Sequence, residues 1–265
     1  MDDDATRFAG SIPEHYDSGL GPVLFAYYAD VLGRMVALGR PRRILETAAG
    51  TGISSVAIAV HNPDAELTIT DLNDGMLQLA RTQLPEARIQ VADAQTLPFD
   101  DASFDAVVCQ FGVMFFPDLE AGFREARRVL APGGIFVFSV WDSHAKNPFA
   151  AITDGLLAET FPDNRPPFYR VPFGMSDVGP LRDLAQASGF GRISIDVLPH
   201  EAPVASWQDF ADGLILGIPV SDQVRRRSGD LPALVGETAE RLSAEYGPAP
   251  TTTPVQAIFY RAFPR

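Results

Sequence analysis

Between residues 43 and 140 the sequence alternates short apolar runs with amphipathic stretches, and few folds accept that pattern. Residues 43–46, 67–70, 88–92, 104–109 and 135–140 read as strands. Residues 54–60, 73–84 and 119–130 read as helices between them, with Ala131-Pro132-Gly133-Gly134 turning into the last of these strands. Strands separated by helices of this length require right-handed crossovers and a parallel sheet covered on both faces.

Upstream, residues 22–38 read as one amphipathic helix whose apolar face is Leu24, Tyr27, Val31, Met35 and Leu38, ended by Gly39-Arg40-Pro41. The second half is less regular. Residues 147–172 are rich in Pro and Phe and read as a loop, and 181–188 as a helix ended by Gly189. Residues 193–198 and 255–263 read as strands, with a helical insertion over 207–246 between them. No repeat or low-complexity tract divides the chain. The expectation is a single α/β domain over 1–265, with a doubly wound, mostly parallel, Rossmann-like sheet, helices on both faces and an antiparallel last strand. Within it, 1–38 would form an N-terminal helical lid and 39–142 the cofactor-binding core. Residues 143–175 and 203–250 would be insertions that wall the substrate pocket.

Charge narrows the partners. A formal charge of −13 repels a polyanion, and Arg225-Arg226-Arg227 is offset by Asp222 and Asp230, so no nucleic acid partner is expected. The single cysteine, Cys109, excludes an intrachain disulfide and a cysteine-built metal site. No metal is expected. Met1-Asp2-Asp3-Asp4 does not resemble a signal peptide, and no apolar run is long enough to span a membrane, which points to the cytoplasm. Oligomeric state is left open.

The turn Leu45-Glu46-Thr47-Ala48-Ala49-Gly50-Thr51-Gly52 joins the first strand to its helix. Gly50 and Gly52 permit positive φ and close approach to a ligand at the carboxyl edge of the sheet, where such folds bind. A turn that cradles pyrophosphate relies on bare amides at a helix end, and a carboxylate such as Glu46 would repel that ligand. S-adenosylmethionine carries an ammonium and a sulfonium and no phosphate, so Glu46 favours it. Asp71 closes the second strand and is placed to accept ribose hydroxyls, which suits this cofactor and NAD alike.

Glu46–Gly52, Asp71, Val91-Ala92-Asp93-Ala94, Phe104–Phe111 and Glu125–Gly134 follow one another in an order and spacing that resemble class I S-adenosylmethionine-dependent methyltransferases. The likeness is to the small-molecule branch that includes the ubiquinone and menaquinone C-methyltransferases. It is specific over about 42–141 and topological beyond. It implies that Glu46, Gly50 and Gly52, with Ala48 in the same turn, surround the methionine part of the cofactor. Asp71, with Leu72 beside it, would hold the ribose, and Asp93 and Ala94 the adenine edge, with Met76 covering the ring. Gln110 and Phe111 would line the sulfonium side. Ala48 stands where the family usually has glycine.

No catalytic base is evident in the sequence. His144, past the fifth strand, and His15 and Tyr16, before the first long helix, are the candidates. The substrate pocket is expected from Phe115, Trp141, Phe149, Phe168 and Trp207. The function expected is methyl transfer from S-adenosylmethionine, releasing S-adenosylhomocysteine, to O, N or C of a small apolar or aromatic acceptor. The alternatives are an NAD-dependent oxidoreductase and a cofactor-binding protein without turnover.

Overall fold

The structure, a computed structural model, describes Phe8, Gly10 and residues 12–265; the acidic start at Met1–Asp4 lies outside the described residues. Seven strands form one sheet: β1 (Arg43–Glu46), β2 (Glu66–Asp71), β3 (Arg88–Val91), β4 (Phe104–Gln110), β5 (Leu130–Trp141), β6 (Phe190–Val204) and β7 (Thr251–Pro264). Their order is β3-β2-β1-β4-β5-β7-β6. β1 to β5 pair in parallel, and β7 runs antiparallel to both β5 and β6. This is the doubly wound sheet expected from the alternating pattern, with its last strand reversed.

The central strand explains why the pattern is so apolar. Ala106, Val107, Val108 and Cys109 of β4 are all fully buried, as a parallel strand covered on both faces must be. Strand order runs outward from β1 both ways, to β2 and β3 on one side and to β4 and β5 on the other, and this switch opens a crevice at the carboxyl edge. Helices α3 (Ile53–His61), α4 (Asp74–Gln83) and α5 (Leu119–Val129) make the crossovers. Asp118 caps α5 by accepting from the Ala121 N–H at 3.0 Å. Arg128 on α5 binds Glu125, Asp101 and the carbonyls of Leu97 and Phe99, while Glu125 accepts from the Leu97 N–H, so α5 holds the loop after β3 in place.

Two readings change. Residues 22–38 are not one helix: α1 (Ile12–His15) runs into a π-helix over Tyr16–Phe25, and α2 (Ala26–Ala37) follows. Pro22 lies inside the π-helical stretch, whose wider turn tolerates a residue that an α-helix interior rejects. Residues 147–172 are not a plain loop, because α6 (Pro148–Thr160) occupies half of them, with proline at its first turn. The insertion over 207–246 is helical as expected, in three pieces: α8 (Trp207–Leu216), α9 (Val220–Arg225) and α10 (Leu231–Tyr246). Helix α7 (Val178–Ala187) precedes β6. Among the described residues no helix is long and apolar enough to cross a membrane.

Candidate active site

A cavity of about 280 Å³ opens at the carboxyl edge, over the turn after β1. Of the cofactor residues expected from sequence, Ala48, Gly50, Asp71, Leu72, Met76, Asp93, Ala94, Gln110 and Phe111 line it. The turn that places them is tight. Ala48 at φ +52° and Gly50 at φ +58° are both left-handed, a conformation that costs a side-chain-bearing residue about 1–2 kcal/mol. Ala48 meets it from a close fit: a Cβ on Gly112 would lie 2.5 Å from the Ala48 Cβ.

Asp71 is the best-defined polar group of the cavity. Oδ2 accepts from the Gly50 N–H at 2.8 Å and Oδ1 from the Asn73 N–H at 2.8 Å. Burial raises its carboxyl above the usual range, and these two N–H groups pull it back. Oδ1 also accepts from the Asn73 side-chain Nδ2 at 3.4 Å. Gln110 donates from Nε2 to the Phe25 carbonyl at 3.4 Å, and its Oε1 is buried without a hydrogen-bond partner.

Glu46 does not face the cavity. It is fully buried beneath α3, and its two oxygens accept from the hydroxyls of Ser54 and Ser55 in the first turn of that helix. Burial pushes its carboxyl up to about 7, against the pull of the two hydroxyls. A carboxyl therefore sits under the α3 N-terminus, held through two side-chain hydroxyls. Gly52 does not line the cavity either. It sits at φ +92° against α4, where a Cβ would lie 3.0 Å from the Ala80 Cβ.

The catalytic candidates separate. Tyr16 lines the cavity, stacked on Phe25 with ring centroids 4.9 Å apart. Its phenol is held far above the ordinary range by burial and by the nearby Asp71 carboxylate. His15 does not line the cavity. His144 lies elsewhere, with Nε2 3.2 Å from the Tyr169 carbonyl and Nδ1 4.0 Å from Asp154, and burial holds its imidazole below the usual value.

Of the expected acceptor residues, Phe115 lines the cavity and the others do not. Trp141 is buried directly behind the wall, stacked on Phe111 at 4.0 Å. Phe168 touches Phe115 from outside at 6.0 Å. Phe149 packs on Phe210, and Trp207 donates from Nε1 to the Gly247 carbonyl at 2.8 Å. No residue of 143–175 or 203–250 lines the cavity. Those segments instead pack on one another and against the N-terminal segment: a Cβ on Gly19 would lie 2.7 Å from the Gly213 Cα of α8. Gly19 thus serves close helix packing. The aromatic lining that sequence reasoning missed is Phe8 and Phe25. Their only signal was a density of aromatics in the chain.

Residues 45–138 match a family described as a methyltransferase domain. A demethylmenaquinone methyltransferase of Deinococcus radiodurans is 34% identical over 143 residues, 46% of this chain and 59% of the relative. A malonyl-[acyl-carrier protein] O-methyltransferase of Geobacter sulfurreducens is 36% identical over 151 residues, 56% of this chain and 52% of that protein. The chain thus spans little more than half the length of these relatives. In fold it is similar to phosphoethanolamine N-methyltransferase 2 of Haemonchus contortus, solved with phosphomonomethylethanolamine and S-adenosylhomocysteine. The TM-score is 0.58 at 16% identity, covering 96% of this chain and 57% of that one.

Proposed function

We propose that the protein, whose residues 45–138 match a methyltransferase domain family, moves a methyl group from S-adenosylmethionine to O, N or C of a small, apolar or aromatic molecule. The observation that carries this reading is Asp71, a buried carboxylate at the cavity wall fixed by the Gly50 and Asn73 amides. The residues fit the cofactor on further grounds. Gln110 offers a buried carbonyl oxygen with no partner, and an added Cβ at Gly50 would stand 3.6 Å from the Met76 methyl, where a ligand edge fits.

In this reading Asp71 accepts the ribose hydroxyls, Asp93 and Ala94 face the adenine edge, and Met76 packs on the ring. Gln110 and Phe111 face the reacting end, and Tyr16 and Phe25 roof it. When bound, S-adenosylmethionine supplies a methyl group already attached to a good leaving group. The chain then has to align the acceptor and exclude water, and alignment can supply about 7–11 kcal/mol in the best cases. Residues 12–25 act as the roof, anchored on α8, and must loosen for the cofactor to exchange.

A charge of −13 supports a small-molecule acceptor over a nucleic acid. A cytoplasmic location goes with the same reading. Calorimetry with S-adenosylhomocysteine and with NADH tests the cofactor. Labelled S-adenosylmethionine with an acceptor panel tests turnover. Binding of NADH in preference to S-adenosylhomocysteine would refute the reading.

A further inference from the structure

Resting on the methyl-transfer reading, we propose that the acceptor atom is the nitrogen of an uncharged amine carried on an apolar body, and that a ring-lined half of the cavity holds the methylated ammonium product.

The cavity is divided by chemistry. Asp71, Asn73, Asp93 and Gln95, from the ends of β2 and β3, make one half polar. The other half is lined by Phe8, Tyr16, Phe25, Phe111 and Phe115. These rings form a continuous wall: Phe115 meets Phe8 at 6.2 Å, Phe8 meets Tyr16 at 5.9 Å, Tyr16 stacks on Phe25 at 4.9 Å, and Phe25 meets Phe111 at 5.9 Å. The faces of such rings are negative and favour a cation over a neutral group of the same shape.

Among the described residues no Lys, Arg or His lines the cavity. His61 is held on Asp30 at 2.7 Å, His144 on the Tyr169 carbonyl, and His200 is stacked on Tyr27 at 3.7 Å. Tyr16 keeps its proton, and the carboxylates of Asp71 and Asp93 lie in the polar half. Among the described residues the ring-lined half therefore holds no carboxylate, imidazole or amine to take a proton from a phenol, an enol or a carbon acid during transfer. Among the same residues it has no cation to pair with a carboxylate or phosphate on the acceptor, and burying such a group unpaired is costly.

An uncharged amine needs neither. Its lone pair forms the N–C bond as the C–S bond breaks, and the electrons of that bond stay on sulfur. The positive charge passes from sulfur to nitrogen. Any hydrogen on that nitrogen leaves to water as a proton after release. Charge is moved and none is created, so rings that stabilise the cation before transfer also stabilise it afterwards.

The test uses the full chain saturated with S-adenosylhomocysteine and three probes: phenyltrimethylammonium, its uncharged isostere tert-butylbenzene, and benzoate. Calorimetry should show the ammonium bound roughly tenfold or more tightly than the hydrocarbon, with benzoate weakest, a preference in the range expected for a desolvated cation on rings. Phe8→Leu and Phe115→Leu should shrink that preference while S-adenosylhomocysteine still binds. Equal binding of the hydrocarbon, or tightest binding of benzoate, would overturn the amine assignment and leave the methyl-transfer reading standing. Failure of S-adenosylhomocysteine to bind at all would instead remove the premise. With labelled S-adenosylmethionine, an aryl dimethylamine should accept methyl faster than the matched phenol; the reverse order overturns the proposal.

Discussion

Replacing Glu46 with glutamine isolates the carboxyl under α3. The side chain is fully buried, and its carboxyl is pushed from the ordinary 4.5 to about 7. In the unfolded chain the group loses its proton near 4.5, whereas in the folded chain it keeps it to about 7. Between those values the folded state binds more protons than the unfolded state, so stability falls as pH rises and levels off above 7. At 1.36 kcal/mol per unit, the full loss is about 3 kcal/mol, of which about 2–3 falls between pH 5 and 8. Glutamine has the same shape and does not titrate. The stability difference between the wild type and Glu46→Gln should therefore move by about 2–3 kcal/mol in favour of the variant from pH 5 to pH 8. Urea unfolding of both proteins at the two pH values measures this double difference, in which every other titration cancels. A difference that stays constant with pH would show that Glu46 titrates normally and that the burial argument is wrong.

Asp71→Asn should raise the dissociation constant for S-adenosylhomocysteine roughly tenfold, since charged hydrogen bonds of this kind are each worth about 1.5–3 kcal/mol, while circular dichroism shows an unchanged fold. Gly112→Ala places a methyl 2.5 Å from the Ala48 Cβ and 2.7 Å from the Cys109 Sγ, and should cost about 1–3 kcal/mol of stability. The cost should shrink when Ala48→Gly is added, and equal costs in both backgrounds would refute the contact. Gly213→Ala, with its Cβ 2.7 Å from the Leu20 Cδ2, should lift residues 12–25 from α8; limited proteolysis should then cut there faster and cofactor affinity should fall. His144→Ala should leave the affinity for S-adenosylhomocysteine unchanged, because its ring is bound to the Tyr169 carbonyl away from the cavity.

Much of the sheet and half of the cavity could be read from the chain because both follow local rules. A glycine after a strand, with an acid at the tip of the next, is fixed by backbone conformation and by crossover geometry, so Gly50 and Asp71 were legible. Glu46 was legible as important but not in its role. Whether a strand-end carboxylate looks up into a crevice or down under a helix depends on the two serines that meet it, Ser54 and Ser55, and on the packing that buries all three. Phe8 and Phe25 escaped because the N-terminal segment reaches the cavity by tertiary packing on α8. Trp141 and Phe149 misled for the opposite reason, since an aromatic near the mouth of a sheet and one just behind its wall have the same local sequence. The α6 helix was hidden by Pro148, which reads as a breaker in a Phe-rich stretch yet is well suited to the first turn of a helix.

The antiparallel tail of the sheet fixes the order in which the fold can be completed. β7 lies between β5 and β6, although β6 precedes it in the chain by some fifty residues of helix. Until β7 arrives, β5 has an open edge and all fifteen residues of β6 have no strand to pair with. The crevice strands β1 to β4 can assemble earlier from near neighbours, whereas the tail needs contacts across long stretches of chain, which are slow to find. During synthesis β6 is therefore a long unpaired strand waiting for a partner made later, the state most exposed to pairing with a strand of another molecule. Its polar positions Arg192, Asp196, His200 and Glu201 lie along that waiting strand, as charged and polar groups do on edges that must stay single.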